Sequence, residues 1–95
     1  MAERLSQAEI EAQLASLPGW KFVGDRLEQT FTCKDFLGSI AFVNRLVDPA
    51  EQAGHHPDLA ISWNRVTVCL TTHEAGGITQ KDIDLAKVIS NLAAG

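Results

Sequence analysis

The chain is short of thiols, of long apolar runs and of positive charge. Its 95 residues include two cysteines, Cys33 and Cys69. They have neither the paired spacing of a zinc site nor the density of a disulfide framework, so reduced thiols and a cytoplasmic setting are expected. Met1-Ala2-Glu3-Arg4 leads into a polar stretch, unlike a secretory leader. No apolar stretch nears the roughly 20 residues of a membrane span. Eight basic residues against twelve acidic ones give a net charge of −4. That balance argues against nucleic acid or an anionic membrane as the primary partner, and leaves a protein partner open. Linkers, repeats and low-complexity segments are missing too, so residues 1–95 read as a single domain.

Apolar residues make up 45% of the chain, ordinary for a globular protein. At this length roughly 60–68% of the unfolded surface can be buried, enough for a real but thin core. Ser6-Gln7-Ala8-Glu9 has the form of a capping box, and Ile10, Leu14 and Leu17 follow on one helical stripe. A first helix is predicted over about Gln7–Leu17, ended by Pro18-Gly19. Trp20–Val23 and about Arg26–Cys33 read as a hairpin around Gly24-Asp25, the second strand alternating with period two.

From Asp35 the period becomes helical. Phe36, Ile40, Val43 and Val47 share one stripe and are expected to face the core. Phe42 and Leu46 fall on a second arc, to be covered either by another subunit or by a loop or the first helix. Pro49 predicts a kink or a restart, with Asp48 as cap and Pro49 at the first helical position. Pro57 requires the helix to end by about His56.

Leu59–Trp63 and Val66–Thr71 read as two further strands joined at Asn64-Arg65. The clean alternation of Val66, Val68 and Leu70 against Thr67, Cys69 and Thr71 suits a sheet covered on one side. After a loop at Gly76-Gly77, Thr79-Gln80-Lys81-Asp82 looks like a capped start. Ile83, Ala86, Ile89 and Leu92 continue a last helix. The order α-β-β-α-β-β-α predicts an α+β fold: a four-stranded antiparallel sheet with three helices on one face.

All three histidines, His55, His56 and His73, fall within nineteen residues. Imidazole both gives and takes protons near neutrality, and two or three of them around one cavity suit general acid–base chemistry. Glu51 and His55 stand at i, i+4, so they are expected to face the same way, the carboxylate holding one imidazole tautomer. His56 is stiffened by the proline after it. His73 is expected at a strand end, converging with the other two on one cleft. Each residue also has an ordinary reading: Trp63 as core, Glu51 as a solvated charge, Asp82 as a helix-start residue, Cys69 as a small strand residue.

The spacing Glu51, His55-His56-Pro57, Trp63, Thr71-Thr72-His73-Glu74 and Asp82-Ile83-Asp84-Leu85-Ala86 resembles the signature of the pterin-4a-carbinolamine dehydratases. Pro49 departs from that pattern. The resemblance implies dehydration of 4a-hydroxytetrahydropterin to the quinonoid dihydropterin, recycling the pterin cofactor of aromatic amino acid hydroxylases. It implies catalytic roles for His55 and His73, with His56 binding and orienting substrate. Glu51, Gly54, Trp63, Thr71, Thr72, Glu74 and Asp82 would line or support the pocket, with Trp63 a wall beside the histidine pair. The pterin is then the substrate, and neither a metal nor a redox cofactor is needed. Which histidine is the acid stays open.

Two other readings remain. Members of the family also act as dimerisation cofactors of a transcription factor or in assembly, so a protein-interaction role is an alternative. Glu51, His55 and His73 are also residue types that hold zinc, a third reading. Under any of the three a homodimer or homotetramer is expected: the second apolar arc would be an unusual surface on a soluble monomer, and relatives pair through sheet edges and helices.

Overall fold

The computed structural model describes residues 3–94. The element order is α1 (Gln7–Leu14), β1 (Lys21–Val23), β2 (Arg26–Thr32), α2 (Phe36–Ala53), β3 (Asp58–Ser62), β4 (Arg65–Leu70), a 3₁₀ turn (His73–Ala75) and α3 (Gln80–Ala94). One antiparallel sheet runs in the order β1-β2-β4-β3. The predicted α+β architecture is the observed one.

Sequence chemistry accounts for the element ends. Ser6 Oγ accepts from the Glu9 amide while the Glu9 carboxylate accepts from the Ser6 amide, the expected capping box. The first helix stops at Leu14, three residues short of expectation, and Leu17 packs into the core from the turn beyond it. The Asp35 carboxylate caps α2 by accepting from the Gly38 amide at 2.8 Å. At its other end Gly54 takes a left-handed conformation, φ 60°, which glycine adopts at little cost. The second hairpin turns at Trp63-Asn64, one residue earlier than predicted.

Leu27, Val66, Val68 and Leu70 line the inner face of the sheet and meet Ile10, Phe42, Leu46, Ile83, Ala86 and Ile89 from the helices. Burying each large side chain of this kind contributes about 1.5–3 kcal/mol. The opposite face carries only half-buried or exposed groups such as Glu28, Thr30, Thr67 and Cys69, as the alternation predicts.

Two expectations about α2 are corrected. The stripe facing the core is Ser39, Phe42, Leu46 and Ala50, while Phe36 and Val47 are about half exposed. The two stripes lie roughly 80° apart on a wheel of 3.6 residues per turn. Both are apolar, and the aromatic packing decides between them: the Phe42 ring sits 5.1 Å from that of Phe31, which lies 5.9 Å from that of Trp20. Ser39 supports the same roll, donating its hydroxyl to the Trp63 carbonyl at 2.7 Å. Pro49, moreover, does not restart the helix, since Phe36–Ala53 is one element. The proline forfeits only the bond to the carbonyl of Arg45, an exposed residue that water can serve.

The helix layer stops short of the β3 edge. Every residue of β3 is exposed. Leu59 and Ile61 pair with Val68 and Val66 and share their inward side, yet both stay about 40% open. Phe36 and Val47 on α2 add to this uncovered apolar flank.

Candidate active site

The site forms where the C-terminal end of α2 and the start of β3 meet the far end of β4 and the start of α3. Gly54 reverses the chain, and the next two residues carry the imidazoles of His55 and His56 out of the helix. Across from them, Thr72 and Gly77 pair through their backbones (3.0 and 3.3 Å), closing a short loop over the 3₁₀ turn that holds His73. Gly54, His55, His56, Asp58, Thr71, His73, Glu74 and Lys81 line one cleft of about 450 Å³. The predicted convergence of all three histidines is therefore present.

Their partners differ from those expected. His55 lies beyond the last residue of α2, so the i, i+4 relation to Glu51 does not hold. Its Nε2 instead meets Oδ1 of Asp82 at 2.5 Å. Glu51 is taken by its other neighbour, Oε2 against Nε2 of His56 at 2.5 Å. The two pairs sit in contrasting surroundings. Side-chain exposure is 11% for His55 and 0% for Asp82, against 63% for His56 and 68% for Glu51. The first pair is held in the protein; the second is a surface contact of the kind worth roughly 0–1 kcal/mol.

Asp82 is the most heavily bonded side chain of the site. Its Oδ2 accepts from Thr72 Oγ1 at 2.8 Å and from the Thr79 amide at 2.9 Å. It is both the helix-start residue expected from sequence and the support of His55. Two donors, the Thr72 hydroxyl and the Thr79 amide, converge on one oxygen of a buried carboxyl, which favours a carboxylate. Against a carboxylate the Nε2 of His55 donates; in either tautomer Nδ1 is the ring nitrogen without a partner among the described residues. His73 is exposed, and its ring has no hydrogen-bond partner among the described residues.

The other expected site residues are spread more widely. Gly54, Thr71 and Glu74 line the cleft, and Thr72 is buried beneath it. Trp63 is not beside the histidine pair. It sits in the β3–β4 turn, at the far end of a five-residue strand and thus roughly 15 Å along it, two-thirds exposed and in a left-handed conformation with φ 51°. The zinc reading finds no three-ligand group among the described residues: Glu51 is engaged by His56, and His55 by Asp82. Sequence reasoning missed Asp58, Lys81 and Thr79. Lys81 and Thr79 flank the recognised Asp82, and Asp58 follows the His-His-Pro run, so nearness to the motif was the available signal.

Beside His56 an apolar hollow of about 200 Å³ opens, lined by Val43, Leu46, Val47, Ala50 and Leu59. A larger cleft of about 520 Å³ near Arg4, Phe22 and Ile78 carries no histidine, and its Ser6 and Glu9 are spent on capping each other. No helix among the described residues is long and apolar enough to cross a membrane.

Known proteins share both sequence and shape with this chain. The family model described as pterin 4 alpha carbinolamine dehydratase matches residues 3–92. A protein of Thermosynechococcus vestitus named "Putative pterin-4-alpha-carbinolamine dehydratase" is 91% identical over 93 residues, covering 98% of both chains. One of the same name from a Cyanothece strain is 58% identical, over 98% of this chain and 96% of its own. The crystal structure of a transcriptional coactivator/pterin dehydratase from Brucella melitensis superposes with a TM-score of 0.92 at 33% identity, covering 96% of this chain and 99% of that one. A pterin dehydratase-like protein identified as a RuBisCO assembly factor in the alpha-carboxysome shares the fold, with a TM-score of 0.68 at 21% identity, over 81% of this chain and 92% of its own. The chain belongs to the pterin-4-alpha-carbinolamine dehydratase family.

Proposed function

We propose that this chain dehydrates 4a-hydroxytetrahydropterin to the quinonoid dihydropterin by histidine acid–base catalysis. The observation that carries the reading is the single cleft shared by His55, His56 and His73, with His55 anchored on a buried carboxylate. The reaction breaks the C4a–OH bond, removes the proton on N5 and forms C4a=N5, releasing water. It needs one group to protonate the departing hydroxyl and one to accept the N5 proton, and two histidines supply both. His55 and His73 take these roles, and His56, tethered to Glu51, orients the substrate.

The test is a stopped-flow assay with chemically generated 4a-hydroxytetrahydropterin, corrected for spontaneous dehydration. His55→Ala and His73→Ala should each lower turnover by about 10²–10⁴, and His56→Ala should act mainly through KM. Full rates in both His55→Ala and His73→Ala would remove the acid–base assignment.

A second copy of the chain is the partner that the uncovered flank fits best. The β3 edge offers unpaired backbone groups beside Leu59, Ile61, Phe36 and Val47, and exposed apolar edges are sites of strand addition. Sedimentation should give at least a dimer at micromolar concentration. A monomer there would refute the pairing without touching the chemistry.

A further inference from the structure

We propose that Thr72 and Thr79 are positioning residues that fix which ring nitrogen of His55 carries the proton. This rests on the dehydratase reading above.

The argument is a count of donors. The Thr79 amide can only donate, and it meets Asp82 Oδ2 at 2.9 Å. Thr72 Oγ1 lies 2.8 Å from the same oxygen and 2.9 Å from Thr79 Oγ1. A hydroxyl has one proton. Thr72 spends its own on the carboxylate, so the Thr79 hydroxyl donates to Thr72. The chain of donors runs one way, from Thr79 Oγ1 through Thr72 Oγ1 to Asp82 Oδ2. Asp82 and Thr79 are 0% exposed and Thr72 is 3% exposed, so water cannot replace a lost donor.

Two proton placements compete at the contact between Asp82 and His55. The proton can sit on His55 Nε2 against a carboxylate, or on Asp82 Oδ1 with Nε2 as the acceptor. In the first, neutral His55 presents a bare Nδ1, an acceptor. In the second it presents Nδ1–H, a donor. Two donors on Oδ2 stabilise the carboxylate and hence the first placement. The threonine pair thereby sets the polarity of an atom that neither residue touches.

That atom is available. Nδ1 of His55 has no hydrogen-bond partner among the described residues, and the only buried, unpartnered side-chain oxygen or nitrogen among them is Gln29 Oε1.

Nitrogen-15 NMR of the histidine rings reads the tautomer without substrate. Neutral His55 in the wild type should carry hydrogen on Nε2. Thr72→Val should move the tautomer ratio roughly 10- to 100-fold towards Nδ1–H, the usual worth of one hydrogen bond to a charged group. It should lower kcat and leave KM unchanged, with Thr72→Ser restoring both the tautomer and kcat. Thr79→Val should shift both in the same direction by less, because it acts one bond further away. Asp82→Asn can present an amide N–H to Nε2, and its kcat should fall by up to about 10⁴, the cost of the wrong tautomer in a serine-protease triad. A wild-type His55 protonated on Nδ1 overturns the proposal with no variant needed. So does a Thr72→Val protein that keeps both the tautomer and kcat. A wild type with the Nε2–H tautomer that turns over no carbinolamine overturns the dehydratase reading instead.

Discussion

Phe42→Ala tests which face of α2 is the core. Phe42 is 2% exposed, and its ring continues a file with Phe31 and Trp20 that ties the helix to β2 and to the residue before β1. The Arg45 guanidinium lies 6.0 Å from the ring, outside the core, so the chief loss on truncation is apolar packing. Removing a buried phenyl group costs about 3–5 kcal/mol. A chain of this length has a total stability of about 5–14 kcal/mol, so the change consumes a large share of it. With each kcal/mol worth about 4–8 °C in a domain of this size, Tm should fall by at least about 12 °C. Val47→Ala, on the half-exposed stripe, should cost under about 1 kcal/mol. Urea unfolding followed by far-UV circular dichroism, repeated across protein concentrations, separates packing within the subunit from packing between subunits. A Phe42→Ala midpoint no lower than that of Val47→Ala would refute the assignment. So would a Phe42→Asp protein that dissociates while staying folded, because that outcome requires Phe42 to be covered by another subunit.

Two further outcomes follow from local structure. Gly54→Ala finds no atom within 4 Å of the new Cβ, so its cost is the left-handed backbone alone, about 1–2 kcal/mol; thermal melts should show that loss, with Gly54→Asn closer to wild type. Burial, then the hydrogen bond to Glu28 and its charge, push the Cys69 thiol above its ordinary range. The thiolate is the reactive form, so in a Cys33→Ser protein iodoacetamide should label Cys69 more slowly than free cysteine at a given pH, with the rate curve displaced to higher pH; labelling as fast as free cysteine would contradict this.

The fold was legible because its signals are local. The capping box at Ser6-Gln7-Ala8-Glu9, the alternation in β4 and the proline and glycine stops each act within a few residues, and each gave an element of the right type. The roll of α2 was not legible. Phe36, Ile40, Val43 and Val47 form as good an apolar stripe as Ser39, Phe42, Leu46 and Ala50, and a wheel cannot say which one meets Phe31 across the sheet. The cleft itself could be anticipated, since the histidines lie at element ends that the topology brings together. Trp63 was misplaced because its position along β3 sets its distance from the histidines, and spacing in a motif says nothing of direction along a strand.

The exchange of carboxylate partners shows where local reasoning ends and tertiary structure takes over. Glu51 is four residues from His55 and five from His56, and helical periodicity favours the former. The periodicity lapses at Gly54, because the left-handed cap swings the next residue off the helix axis. His55 then points into the protein, where Asp82 waits 27 residues away in sequence, and His56 turns back towards Glu51. The division has a chemical consequence. The buried pair holds its imidazole on a carboxylate that Thr72 and Thr79 brace, which fits the acid–base role proposed for His55. The exposed pair costs little to rearrange, which fits the substrate-orienting role proposed for His56. One glycine therefore parts two adjacent histidines, sending one into a buried pair and leaving the other in an exposed one.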